Sequence, residues 1–549
     1  MITNEKIRFY ILSNAVKYQG KANLGAILGK VLQEDPDLKK DIKELSFKIS
    51  SLIKEINSLS LEEQKKELNK FDFEIEKPKK KKDKLPELEE AKIGNVVMRF
   101  APNPNGPLSL GRTRPAYWNY ALVQKYKGKF LLRADDTDPK IKVPMKEAYK
   151  WIQEDLNFLG IKPDKVIIQS KRLKIYYKYA EKLVKDDKAY VCTCDVEEWR
   201  KLIWKSISCK CRSLPAQEQL ERWRGMFTKY KEGEAVLRIK TDIDAPNPAL
   251  RDWPAFRIVD KSKHPLDKKS KVWPLLNFAS AIDDHELEVT HILRGIDLRV
   301  SDDRQGYIYK YFNWIYPKTM YHGKLLVKGI KSTSQTKKLI KEGKLLGWDD
   351  PRLGTIQSLR KRGFKAEAIL RFHREIGLGK SDIHVSLDTL GAFNREIIDK
   401  DSNRYFFVEN PKKINIKKAP TLKTKIELHP DFPKKGFRNF ETKDEFYIEE
   451  NFEKGKYYRI MHLFNFKDNE FHSVELNKAL NAKLIHWLPV SKDLVNIEII
   501  MDDASVIKGL GEKDLNKVKI NEIVQFQRKF FAKLDKKEKN KLIFYFLHR

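Results

Sequence analysis

Cysteine is scarce in this 549-residue chain: there are four, all between Cys192 and Cys211. A disulfide framework would spread them through the fold, so the clustering excludes a stapled scaffold and points to a metal or to redox chemistry. No stretch approaches the roughly 18 consecutive apolar residues of a membrane span. The opening Met1-Ile2-Thr3-Asn4-Glu5-Lys6 has neither the apolar core nor the cleavage site of a signal peptide. The chain therefore reads as cytoplasmic, without a membrane partner. Acidic residues are outnumbered, 77 against 110 Lys plus Arg, for a net charge of +33. Such a surplus fits a polyanionic partner, and equally the solvated surface of a lysine-rich proteome.

Hydrophobic residues at 41% exclude wholesale disorder despite the 34% that are charged. The length exceeds what one core organises, so roughly three to five domains are expected. Residues 1–94 are rich in Lys and Glu. Leu45, Ile49, Leu52, Ile53, Ile56 and Leu59 recur there at helical spacing. The stretch closes near Lys77-Pro78-Lys79-Lys80-Lys81-Lys82-Asp83-Lys84, which reads as a solvated linker or as an arm grazing phosphates.

From Asn95 the pattern sharpens. Val96–Ala101 reads as a buried strand, Pro102-Asn103-Pro104-Asn105-Gly106-Pro107 as a turn, Leu110–Tyr126 as a helix and Lys129–Arg133 as the next strand. Strand, turn, helix, strand opens a parallel doubly wound sheet, whose ligands sit beyond the strands' carboxyl ends. The turn lacks dinucleotide-fingerprint spacing, which disfavours NAD. Residues from Thr336 to Glu375 look helical. Beyond Lys400, short runs such as Tyr405–Val408 and Asn496–Ile500 between Pro/Lys/Asp turns read as β-barrel or sandwich modules. The cysteines form two close pairs, Cys192-x-Cys194 and Cys209-x-Cys211. Joined by a loop they make the four-thiolate set of a structural zinc, with reduced free thiols as the alternative.

Arg-Phe-Ala-Pro-Asn-Pro-Asn-Gly-Pro-Leu-Ser-Leu-Gly-Arg (99–112) and Leu-Leu-Arg-Ala-Asp-Asp-Thr-Asp-Pro (131–139) resemble the archaeal-type glutamyl-tRNA synthetases of class I. Trp348–Leu353, Leu428–Pro433 and Val524–Arg528 look like later stretches of the same family. The resemblance implies a multi-domain chain. A helical N-terminal extension with its Lys-rich linker spans 1–94, and a Rossmann-like α/β catalytic domain spans 95–189 and 273–335. An acceptor-stem insertion carrying the cysteines covers 190–272, a helical connector 336–399, and anticodon-binding β-barrels 400–549.

It further implies ATP-dependent ligation of L-glutamate to tRNA(Glu) through glutamyl-adenylate, with Mg2+ accompanying ATP. Many members also charge tRNA(Gln) for later amidation, which makes an amidotransferase a candidate partner of the N-terminal extension. That extension could instead touch tRNA or pack on the catalytic body. Gly106, Ser109, Gly111 and Arg112 take the nucleotide-signature positions, where the class pattern His-Ile-Gly-His has become Ser-Leu-Gly-Arg. Ser332-Thr333-Ser334-Gln335-Thr336-Lys337-Lys338 takes the place of the second signature. Gln335 stands there for a lysine, so Lys331, Lys337 or Lys338 must supply its charge, Lys337 foremost. Losing one charge-assisted contact to a transferring phosphate costs about 3 kcal/mol of transition-state stabilisation.

Arg99 is expected beside the substrate's charged groups, Asp135 on its α-amino group, and Asn103 and Ser280 as polar neighbours. Leu276 replaces an expected tyrosine. Arg294 occupies the position that meets the γ-carboxylate, where a guanidinium fork favours glutamate over glutamine. Glutaminyl-tRNA synthetase and a non-catalytic tRNA-binding paralogue remain the competing readings. Gly436–Phe440 and Lys454–Arg459 interleave basic and aromatic residues, fitting RNA stacking or ordinary strands with snorkelling side chains.

Overall fold

The computed structural model describes residues 3–17, 20–35, 38, 41–71, 85–328 and 332–549; the lysine run 77–84 and Lys331 lie outside the described residues. Two compact units divide the chain, Met1–Lys84 and Leu85–Arg549. The first contains helices α1 (Asn4–Lys17), α2 (Leu24–Glu34), α3 (Ile42–Ser58) and α4 (Leu61–Leu68). Leu45, Ile49, Ile53 and Ile56 bury one stripe of α3 against Ile7, Ile11 and Val31, as the 3.6-residue spacing predicts. Side-chain caps start two of the helices: Asn23 accepts from the Ala26 amide, and Ser60 with Glu63 forms a capping box.

The second unit begins with residues 85–94, which pack against the sheet that follows. Leu88 joins its core, and Glu89 O is 2.9 Å from His291 Nε2. In that sheet β1 (Val97–Phe100), α5 (Leu110–Lys125) and β2 (Lys129–Ala134) follow the expected order. They lead through α6 (Ala148–Phe158) to β3 (Lys165–Ile168) and α7 (Leu173–Lys185).

An antiparallel four-stranded sheet then interrupts the parallel one. It is built from β4 (Ala189–Cys192), β5 (Val236–Ile239), β6 (Pro254–Ile258) and β7 (Val272–Pro274), and it carries α8 (Val196–Trp204) and α9 (Ala216–Thr228). The chain returns through α10 (Leu276–Glu286), β8 (His291–Gly295), α11 (Arg299–Phe312) and β9 (Lys318–His322). The completed parallel sheet has the order β3-β2-β1-β8-β9, with Met98 opposite His291 in register. Strand order reverses between β1 and β8, where a doubly wound sheet opens a crevice for ligands.

Beyond it, β10 (Leu325–Val327) pairs in parallel with β11 (Ile383–Val385), around α12 (Thr333–Lys341), α13 (Ile356–Arg362) and α14 (Ala366–Ile376); α15 (Leu387–Ile398) follows. The rest is almost all strand. A seven-stranded sheet begins with 403–405 and ends with 407–409, so its two edges are adjacent in sequence and the barrel nearly closes. Phe406, the residue between them, is fixed by its amide, which donates to Glu512 Oε2 at 2.9 Å. Arg362 ties the barrel to α13, donating to Leu547 O at 2.8 Å.

Candidate active site and metal centre

The carboxyl ends of β1, β2 and β8 deliver Arg99, Arg133 and Arg294, all buried. Arg99 grips Asp284 of α10 with two bonds, Nε to Oδ1 at 2.9 Å and Nη2 to Oδ2 at 3.2 Å. Arg133 donates to Asp284 Oδ1 at 2.7 Å, Asp135 Oδ1 at 2.7 Å and Ser280 Oγ at 3.2 Å. Asn103 Nδ2 donates to the Asp135 carbonyl at 2.9 Å, and its buried Oδ1 has no partner. Four expected glutamate-site residues, Arg99, Asn103, Asp135 and Ser280, thus meet through one network. Arg294 makes its own contacts with Asp302 and Gln305 of α11, close enough to Asp284 to help hold that carboxyl charged.

Burial opposes the charge on Asp284, but Arg99 and Arg133 hold its carboxyl below the usual carboxylate range. Burial pushes Asp135 up, with Arg133 only partly offsetting it. An α-ammonium group beside Asp135 would lower it again. Leu276 starts α10 and is 47% exposed, and its side chain offers no hydroxyl where a tyrosine was expected.

The nucleotide-signature turn is stitched from three sides. Ser109 is the N-cap of α5, its Oγ accepting from the Arg112 amide at 3.4 Å. Leu108 donates to Asp155 Oδ2 at 2.8 Å and accepts from the Ile356 amide at 2.8 Å; Leu110 donates to Gly354 O at 2.9 Å. Gly106 is required by a neighbour, since a Cβ there would lie 2.9 Å from the Trp348 ring and 3.1 Å from the Thr333 methyl. At Gly111 it would lie 3.0 Å from Leu325 O. Both glycines are explained by close approach of protein to protein. Arg112 Nη1 donates to Asn105 Oδ1 at 3.1 Å, and burial lowers its pKa. Among the described residues no carboxylate pairs with Arg112. A partly buried cation without a counter-ion, at the positive end of a helix, fits an anionic ligand.

Ser332 opens α12 as N-cap, and Gln335 completes a capping box with it: Ser332 N donates to Oε1 at 3.2 Å and Gln335 N to Ser332 Oγ at 3.3 Å. Gln335 therefore has a local role in shaping this helix start. Ser334, Gln335, Lys337 and Lys338 are exposed, and Lys338 reaches Glu342 at 3.8 Å.

In the insertion, Cys192 Sγ and Cys209 Sγ lie 3.8 Å apart, and Cys194 Sγ and Cys211 Sγ 3.7 Å. All four sulfurs fall within 4.8 Å of one another. Zinc–sulfur bonds of about 2.3 Å in a tetrahedron put sulfurs roughly 3.8 Å apart, so the donor set fits zinc. Arg222 Nη1 donates to Cys211 Sγ at 3.5 Å, a contact suited to a thiolate.

The chain matches the family model of class I tRNA synthetases (E and Q), catalytic domain, over residues 95–400, and the anti-codon binding domain of the same class over 402–485. It belongs to that family. It is 48% identical to the glutamate–tRNA ligase of Pyrococcus furiosus, with 98% of each chain covered. Identity to that of Thermococcus kodakarensis is 47%, with 99% of each covered, and to that of Methanocaldococcus jannaschii 44%, over 99% of this chain and all of the relative.

Several features of this synthetase were not foreseen from sequence. Arg133, Asp283 and Asp284 are buried charges at the centre of the site. Asp283 takes bonds from Arg172 Nε at 2.7 Å, Tyr176 Oη at 2.7 Å and Gln169 Nε2 at 3.2 Å. Arg133 falls within the 131–139 stretch without being singled out there, and Asp283 and Asp284 signalled only as charge inside an otherwise apolar segment. Of the two basic-aromatic runs, the first is structural at its centre. Arg438 is 1% exposed and donates to Glu512 Oε2 at 2.8 Å and Gln527 Oε1 at 3.1 Å. In the second, Arg459 donates to Asn465 Oδ1 and Val474 O, both at 3.1 Å. A cationic cavity of about 580 Å³ lies elsewhere in this region, lined by Arg395, Gln525, Arg528, Lys529 and Arg549 among others. No described helix is long and apolar enough to cross a membrane.

Proposed function

We propose that this chain is an ATP-dependent glutamate–tRNA ligase acting in the cytoplasm. The observation that carries the reading is Arg294, a buried guanidinium at the carboxyl end of β8 beside the Arg99–Asp284–Arg133–Asp135 network. Its near-full-length likeness to glutamate–tRNA ligases supports the same conclusion.

Arg294 meets the γ-carboxylate of glutamate, Asp135 the α-ammonium group, and Arg99, Asn103 and Ser280 shape the pocket. The substrate's α-carboxylate oxygen attacks the α-phosphorus of ATP. The new P–O bond replaces the bond to pyrophosphate, which leaves. The nucleophile is already an anion, so positioning and charge stabilisation suffice and no general base is needed. Ser109, Arg112 and the amide end of α5 face the triphosphate, aided by Ser334, Gln335 and Lys337 on α12; Gly106 and Gly111 keep this turn close to its supports. Mg2+ travelling with ATP supplies charge neutralisation on the phosphates. A terminal adenosine hydroxyl of tRNA then attacks the adenylate carbonyl, forming the ester and releasing AMP.

By this reading Cys192, Cys194, Cys209 and Cys211 hold a structural zinc that braces the insertion of residues 190–272 against the acceptor stem. The region 400–549, with its cationic cavity, takes the anticodon. Charging of tRNA(Gln) as well as tRNA(Glu), and docking of an amidotransferase on the N-terminal helices, would extend the same function.

Aminoacylation of unfractionated tRNA with labelled glutamate and glutamine, with and without ATP, tests the proposal. ATP-dependent labelling by glutamate alone is expected, and labelling by glutamine would overturn the role of Arg294. One observation favours a second reading, a tRNA-binding paralogue without ligase activity: Gln335 replaces the expected lysine and is engaged in a capping box. Binding of tRNA with neither amino acid attached would establish it.

A further inference from the structure

We infer that Asp302 is a specificity-positioning residue: it orients Arg294 toward the substrate side chain and thereby sets the preference for glutamate. The inference rests on the reading of Arg294 above.

Arg294 enters the site on a long, flexible side chain, so a precisely aimed fork requires that its head be held. Two residues touch it and two more brace those. Its Nη1 lies 2.7 Å from Asp302 Oδ1, and its Nη2 donates to Gln305 Oε1 at 3.1 Å. Asp302 and Gln305 are three residues apart on α11 and so share a face. Tyr316 Oη lies 2.7 Å from Asp302 Oδ1, to which it donates, and 2.9 Å from Gln305 Oε1, bringing the two together. Tyr321, the register partner of Arg294 on β9, donates to Asp302 Oδ2. The Asp302 carboxylate is thus the hub, receiving both phenols and pairing with the guanidinium.

Arg294 Nη1 is paired with the Asp302 carboxylate at 2.7 Å. A guanidinium has five N–H donors, so the contacts to Asp302 and Gln305 leave others for a ligand's acceptors. A γ-carboxylate offers two acceptor oxygens to a fork, whereas a γ-amide offers one and turns its own N–H2 against the other donor. The charge of Asp302 offsets that of Arg294, so net charge attracts glutamate little here. Discrimination then depends on the direction in which the fork is held, which is what Asp302 controls.

The test measures aminoacylation by the full chain, with the KM for glutamate, kcat and the glutamate-to-glutamine ratio for wild type, Asp302→Ala, Asp302→Asn, Tyr321→Phe and Arg294→Ala. Misorienting a binding group by an ångström costs up to about 100-fold. Asp302→Ala is expected to raise the KM for glutamate about tenfold or more, with the loss falling on KM rather than kcat, and to narrow the glutamate preference. Asp302→Asn keeps the acceptor and should return KM to within about threefold of wild type; Tyr321→Phe, which removes one bond to the hub and serves if Asp302→Ala does not fold, should raise KM by a smaller factor. An unchanged or lowered KM in Asp302→Ala or Tyr321→Phe, with Arg294→Ala impaired, overturns the role of Asp302. An unchanged KM in Arg294→Ala overturns the underlying assignment of Arg294 instead.

Discussion

Arg133 Nη1 and Asp284 Oδ1 meet at 2.7 Å where neither side chain is more than 1% exposed. Two charges so placed depend on one another, because their attraction offsets part of the desolvation cost and losing either leaves a buried charge uncompensated. Asp284 also carries Arg99, and Arg133 also carries Asp135, so the set spans β1, β2 and α10. It is preassembled where the proposed glutamate pocket lies.

Asp284→Asn should therefore be far more damaging than a surface change. It leaves two buried guanidinium groups short of one counter-charge, a loss on the order of 3–5 kcal/mol. Thermal unfolding of the variant should show the catalytic-domain transition at a clearly lower temperature, with glutamate-dependent activity lost even below it. A transition that stays in place would contradict the account of the network as a mutually dependent set.

Asp155 predicts a pH dependence. Burial pushes its carboxyl up to about 7, against the Leu108 amide and Arg360, which both favour the charged form. Its Oδ1 has no hydrogen-bond partner. A carboxyl whose folded pKa is raised contributes stability that is full below its unfolded pKa and is lost as pH rises through the folded value. Between about pH 4 and pH 7 the wild type should thus lose stability relative to Asp155→Asn, which keeps an acceptor for Leu108 without the charge. Unfolding midpoints of the two proteins across that range should diverge with rising pH and run parallel above it. Parallel curves throughout would show that Asp155 is not held neutral.

Much of this architecture was legible because local patterns and the global fold agree. The apolar run at Val96, the Pro/Gly turn and the next apolar run after Lys129 could only open a parallel sheet, and the structure places β1, α5 and β2 there. The cysteine pairs were legible for a similar reason, since their chemistry needs few partners. What stayed hidden depends on contacts between distant segments. Nothing local at Gly106 announces that Trp348 fills the space beside it. The run around Arg438 fitted RNA contact and an ordinary strand equally, because charge beside aromatics reads the same on a surface as in a core; the buried Glu512 decides it for Arg438. Gln335 read as a missing charge, while Ser332-x-x-Gln335 also spells a capping box, a meaning that competes for the same residue.

The cysteine site yields a prediction that separates bracing from catalysis. Four thiolates fill a tetrahedral zinc, leaving no position for substrate. Metal loss should therefore loosen the insertion without touching the glutamate pocket proposed at Arg99, Asp135 and Arg294. Purified chain is expected to carry about one zinc per molecule by elemental analysis. Cys209→Ser, which removes a buried ligand 3.8 Å from Cys192, should lose that zinc. It should also expose the segment between β4 and α9 to limited proteolysis. Charging of tRNA should fall by about tenfold or more, as for other losses of precise positioning, while the KM for glutamate changes little. A variant that loses zinc yet charges tRNA like wild type would remove the metal from the RNA-binding role, and one whose glutamate KM rises in step would tie it to the pocket instead.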